Sequence, residues 1–111
     1  MKELKQATMY IGLNDSETRK QKYDLERYRN VLKDVCKAYH TAFSLYLANG
    51  GYFHDDGTFT DENTLVVMLL GTDEKTVKEI AKDLCAFFNQ ESVMITYNSA
   101  EVHFIRENID I

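Results

Sequence analysis

Asn63-Thr64-Leu65-Val66-Val67-Met68-Leu69-Leu70-Gly71 is the longest run of β-branched and aliphatic residues in the chain. Its six consecutive apolar residues, closed by Asn63 and Gly71, are too few for a helix of period 3.6 and fit a strand buried on both faces. Side chains alternate across a strand, so Leu65, Val67 and Leu69 point one way and Val66, Met68 and Leu70 the other. This strand belongs at the centre of a sheet, and both of its faces call for apolar cover.

Upstream of it, Thr8 to Leu13 alternates with Met9, Ile11 and Leu13 on one side, which predicts a first strand. Polar residues 14–23 predict a loop. Asp24 can cap a helix whose apolar positions Leu25, Tyr28, Leu32, Val35 and Tyr39 recur at helical spacing. Phe43, Leu45 and Leu47 alternate as a second strand, in which Gly50-Gly51 predicts a bulge or bend at a sheet edge. Asp56-Gly57 predicts a type I′ hairpin turn leading into the central strand.

Downstream, Thr72 is the expected N-cap of a helix reaching about Asn89, with Asp73 and Glu74 against its positive end. Val77, Ile80, Ala81, Leu84, Phe87 and Phe88 form its apolar stripe. Val93, Ile95 and Tyr97 then alternate as a fourth strand. Asn98-Ser99 predicts a turn into an added edge strand over residues 102–105. The order βαββαβ gives an α+β fold, the ferredoxin-like split βαβ plait, with one antiparallel sheet, two helices on one face and a C-terminal edge strand. Right-handed crossovers put the first and third strands at the centre.

The chain has 111 residues. That suits one domain spanning 1–111, able to bury about 65% of its unfolded surface without staples. Cys36 and Cys85 are too few and too far apart for a zinc site, and both read as structural thiols. No cofactor or metal is expected. Residues 2–6 lack an apolar leader core, and no apolar run approaches a membrane span, so the expected location is cytoplasmic with no membrane partner.

The net charge of −5 is unevenly distributed. Residues 1–40 carry nine Lys/Arg against six Asp/Glu, and residues 41–111 carry four against twelve. The positive part contains Arg19, Lys20, Lys22, Arg27, Arg29, Lys33 and Lys37, a candidate nucleic-acid surface on a loop and a helix face. Asp55, Asp56, Asp61 and Glu62 flank the hairpin and are the candidate acidic tip for docking a basic protein. Tyr10, Tyr46, Val66, Met68 and Met94 fall on the sheet face away from the helices. Aromatic residues and Met there mark a partner or dimer face. No nucleophile motif, phosphate loop or metal spacing occurs, so no catalytic residue is assigned.

Tyr10-Ile11-Gly12-Leu13-Asn14-Asp15, Gly51-Tyr52-Phe53-His54-Asp55-Asp56-Gly57, Glu62-Asn63-Thr64-Leu65 and Asn89-Gln90-Glu91-Ser92 carry a resemblance over about residues 8–97. On these residues the chain resembles small uncharacterised plait proteins of bacterial phages and integrative elements of Gram-positive hosts. The resemblance implies the fold and a mobile-element origin, and it carries over no catalytic residue. By association with that setting it implies an inhibitor of host defence nucleases, of the anti-CRISPR kind.

The leading expectation is thus a non-enzymatic interaction module. It would form a homodimer and act on a host protein such as a nuclease or CRISPR effector. The alternatives are a nucleic-acid or ribonucleoprotein binder using the basic residues, and a dimeric plait that binds or transforms a small molecule between subunits.

Overall fold

The computed structural model describes residues 2–108. Its elements are β1 (Lys2–Gly12), α1 (Leu25–Ala38), β2 (Ser44–Phe53), β3 (Phe59–Leu70), α2 (Glu74–Phe87) and β4 (Met94–Val102). The four strands form one antiparallel sheet in the order β2-β3-β1-β4. This is the expected ferredoxin-like α+β arrangement, with β3 and β1 at the centre.

Strand register sets the two faces. Ile11 pairs with Leu65, Met9 with Val67 and Ala7 with Leu69, and all six are buried. They meet Tyr28, Leu32, Val35 and Cys36 from α1 and Val77, Ile80, Ala81 and Leu84 from α2 in one core. Burial pushes the Cys36 thiol up to about 11, so it stays protonated and inert. On the opposite face Tyr10 and Tyr46 are the cross-strand neighbours of Val66. Although no helix covers it, Val66 is only 1% exposed.

Several local expectations are corrected. No separate edge strand forms over 102–105, where Val102 ends β4, and Asn98-Ser99 is not a turn. β1 starts at Lys2 rather than Thr8, so Asn98 and Ser99 find ladder partners in Gln6 and Lys5 and β4 runs straight to Val102. Gly50 and Gly51 make no bulge, since each pairs one to one, with Glu62 and Asp61. Gly51 is needed because the Phe59 ring occupies the space a Cβ would take.

The hairpin turn is not type I′, which would need positive φ at both central residues. Gly57 alone has it there, at 87°, and His54 bonds Thr58 and Gly57 across a three-residue loop. The N-cap of α2 is Asp73, whose carboxylate accepts from the Thr76 amide at 2.9 Å. Thr72 shares a 2.6 Å hydrogen bond with Thr41 instead. Phe87 leaves the apolar stripe and is 66% exposed, while Phe88 is buried against Tyr28.

From Ala48 to Phe53 and from Phe59 to Thr64 no residue is buried. This part of the β2–β3 hairpin is an arm without buried residues, in a molecule measuring 54 × 28 × 27 Å.

Candidate functional site

Where the arm leaves the sheet, its open face and two loops enclose a cavity of about 410 Å3. That volume suits a small organic ligand. Tyr10 and Gly12 of β1, Glu62 and Thr64 of β3, and Tyr52 and His54 of the arm form its floor and one wall. Asn14, Asp15, Ser16 and Arg19, with residues 90–92, line the other side.

Glu62 lies on the open face through strand alternation: it pairs with Gly50, and Thr64, two residues on, pairs with Gly12. Its carboxyl group fills the space where a Cβ on Gly12 would stand. The Asn14 amide donates to Glu62 Oε2 at 2.9 Å. Partial burial raises the Glu62 pKa, and the Asn14 hydrogen bond opposes that shift without cancelling it. The result is a half-buried carboxylate held in place beside two tyrosines. Burial, followed by the Glu62 and Glu91 carboxylates, pushes the Tyr52 phenol up. The His54 ring packs on Tyr52 at 4.8 Å, and its Nε2 shares a 2.7 Å hydrogen bond with the Thr60 hydroxyl.

The loop wall is braced by Asp15, the one buried charged residue among the described residues. Its carboxylate accepts from the Glu17 and Thr18 amides and from Asn89 Nδ2, and it pairs with Lys22 at 3.0 Å. The Asn89 hydrogen bond, then the Thr18 amide and Lys22, hold the Asp15 carboxyl far below the usual range. A β-bridge between Asn14 and Gln21 closes the loop at its base. Gln90 Nε2 donates to the Asn14 carbonyl and ties the α2–β4 connection to the same wall.

The groups expected to form sites are largely dispersed. The acidic tip does not converge: Asp61 and Glu62 lie on opposite faces of β3, and Asp56 accepts from the Thr58 amide and hydroxyl. Asp55 remains exposed in the turn. Among the basic residues, Lys22 is engaged by Asp15 and Arg27 stacks over Tyr23 at 4.1 Å. Lys20, Arg29, Lys33 and Lys37 are exposed, and Arg19 lines the cavity. On the open face Tyr46 and Met94 are 51% and 57% exposed, Tyr10 and Met68 are half-buried, and Val66 is too buried to touch a partner. Among the described residues no three His, Cys, Asp or Glu side chains gather to hold a metal ion. No described helix is long and apolar enough to cross a membrane.

The sequence reading missed the cavity because its parts are scattered across three segments. The available signal was Glu62, a carboxylate at an open-face position of the central strand, together with Gly12 in a neighbouring strand.

These features define a plait with a polar, tyrosine-flanked cavity at the end of its open face. The chain belongs to the family described as "Protein of unknown function (DUF3574)", which matches residues 6–104. No curated protein matches it. Among solved structures it is similar to a phage SAM lyase in complex with S-methyl-5'-thioadenosine, with a TM-score of 0.65 and 23% identity, covering 86% of this chain and 80% of that one. The apo state of a phage SAM lyase gives a TM-score of 0.68 at 22% identity, with 86% and 79% covered. A point variant of CutA1 from Pyrococcus horikoshii OT3 gives 0.54 at 16% identity, with 92% and 88% covered. At these identities the likeness is one of fold.

Proposed function

We propose that this chain binds S-adenosylmethionine in the cavity over Glu62 and cleaves it to S-methyl-5'-thioadenosine. The observation that carries the reading is the Glu62 carboxylate, fixed by the Asn14 amide over Gly12 in a cavity shared with Tyr10 and Tyr52. A sulfonium centre is attracted to a carboxylate and to tyrosine faces, and an adenine ring stacks on the same aromatic surfaces. Breaking the bond between sulfur and the amino-acid chain sends the electron pair to sulfur and leaves a neutral thioether. The four-carbon remainder balances by losing a proton to Glu62 or by closing on its own carboxylate. The activity named for two phage SAM lyase structures of the same fold, one of them holding S-methyl-5'-thioadenosine, supports this choice.

The test is incubation of the purified chain with S-adenosylmethionine, followed by chromatography for the thioether. S-methyl-5'-thioadenosine should accumulate, and Glu62→Ala should slow its formation about 100-fold or more, the scale on which single well-placed charged groups act. Absence of both product and binding heat at millimolar ligand would overturn the reading.

A second reading is favoured by the exposed apolar residues. Tyr46 and Met94 on the open face, and Phe53 and Phe59 on the arm at 72% and 54% exposure, suit an interface. In this reading the chain is an interaction module, as a homodimer or on a host protein such as a nuclease or CRISPR effector. Because Met94 also lines the cavity, a second copy laid on this face would roof it. Sedimentation at micromolar concentration tests the homodimer, and a monomer would remove it. A nuclease whose activity the protein leaves unchanged would remove that partner.

A further inference from the structure

Arg19 stands apart from the other cations of the chain. Lys22 is spent on Asp15, Arg27 on Tyr23, and Arg29, Lys33 and Lys37 lie along α1. Arg19 lines the cavity, and among the described lining residues it is the one fixed cation. Its guanidinium makes no ion pair or side-chain hydrogen bond among the described residues.

Its main chain, by contrast, is held firmly. Arg19 sits at φ 58°, a left-handed conformation costly for a residue with a Cβ. The Arg19 amide donates to the Asp15 carbonyl at 2.7 Å, and the Asp15 amide donates to the Lys20 carbonyl at 2.9 Å. With the Asp15 carboxylate gathering Glu17, Thr18, Asn89 and Lys22, the loop that presents Arg19 is a closed, braced unit. Across the cavity the Arg19 charge reaches the arm. It works against the rise of the Tyr52 phenol and adds to the depression of the Asp56 carboxyl that Thr58 produces.

The cavity therefore has an anion on its floor, Glu62, and an unengaged cation on its loop wall. A ligand matching both is dipolar: a cationic centre toward Glu62 and the tyrosines, and a carboxylate toward the loop. A planar guanidinium takes a carboxylate through two parallel hydrogen bonds, a geometry a lysine cannot reproduce. We infer that Arg19 is the specificity-determining residue of this cavity, binding the amino-acid carboxylate of a zwitterionic sulfonium ligand and so separating S-adenosylmethionine from analogues that lack the carboxylate. This inference rests on the proposed reading of the cavity and adds to it the group that reads the far end of the ligand.

The test compares three ligands by titration calorimetry: S-adenosylmethionine, its decarboxylated analogue, and S-methyl-5'-thioadenosine. Arg19→Gly removes the side chain and also relieves the positive φ, so the loop is not strained by the change. A melting temperature no lower than that of wild type checks that the fold is intact. Because Arg19 is exposed, water moderates its pull, and the expected loss for S-adenosylmethionine is about tenfold. The other two ligands should change less than twofold, and Arg19→Lys should recover only part of the loss. If Arg19→Gly weakens all three ligands equally, or none, Arg19 does not read the carboxylate, while the cavity reading survives. If the wild-type protein binds none of the three, the cavity reading fails and the role of Arg19 falls with it.

Discussion

Replacing Gly12 by Ala tests the cavity floor most directly. A Cβ at this position would overlap both oxygens and the carboxyl carbon of Glu62, so the carboxylate has to leave its seat. It then loses the Asn14 amide, and a hydrogen bond to a charged group is worth about 1.5–3 kcal/mol net. Working the other way, Gly12 does not have positive φ, and Ala at a compatible position lowers the entropy of the unfolded chain by about 0.4–1 kcal/mol. Gly12→Ala should therefore destabilise the wild type by about 1–2 kcal/mol. At this chain length that is a fall in Tm of about 4 to 8 °C. In a Glu62→Ala background the overlap is gone, and the same substitution should turn neutral or stabilising by up to about 1 kcal/mol. Denaturant unfolding of the four proteins gives the coupling energy directly. An equal cost of Gly12→Ala in both backgrounds would refute the idea that Gly12 exists to seat Glu62.

The raised pKa of Glu62 makes a signed prediction about pH. The folded protein holds this proton more tightly than the unfolded chain, so the contribution of Glu62 is full below the ordinary glutamate range and is lost as pH rises through the folded pKa. Glu62→Gln, which keeps an acceptor for Asn14, should gain in Tm relative to wild type between about pH 4.5 and pH 7; a constant difference across that range would contradict it. Asp15 titrates in both proteins and cancels from the comparison. Val67→Asp buries an unpaired charge in the core and should abolish cooperative unfolding, whereas Met68→Asp, half-buried on the open face, should leave a folded protein with a Tm lowered by a few degrees. Loss of the near-UV signal in both variants would contradict the assignment of faces.

Sequence periodicity revealed the sheet order and the two faces because the residues responsible are local: Leu65, Val67 and Leu69 state their own alternation, and Leu25, Tyr28 and Leu32 theirs. The errors arose where a long-range partner decided the outcome. Lys2 to Ala7 looks like a polar lead, yet it becomes strand because β4 lies beside it. Gly50-Gly51 resembles a bulge until Phe59, eight residues beyond Gly51, is seen to need the space. The cavity was hidden for the same reason, since Gly12 and Asn14, Tyr52, and Glu62 lie far apart along the chain. Asp61-Glu62 read as one acidic unit, whereas strand alternation sends the two carboxylates to opposite sides of the sheet.

The hairpin arm gives the cavity walls of unequal endurance. Tyr10 and Gly12 stand on β1 beside the buried Met9 and Ile11, so their amides are expected to open only with the core. Tyr52 stands on the arm and His54 at its turn, where ladder hydrogen bonds act without buried side chains behind them, and such segments open locally at a free-energy cost well below that of global unfolding. The cavity therefore spans a boundary between a slow-exchanging and a fast-exchanging part of one sheet. A molecule that touches both walls joins them, so its binding is recorded in the amide protection of residues 48–53 as well as in the residues it contacts.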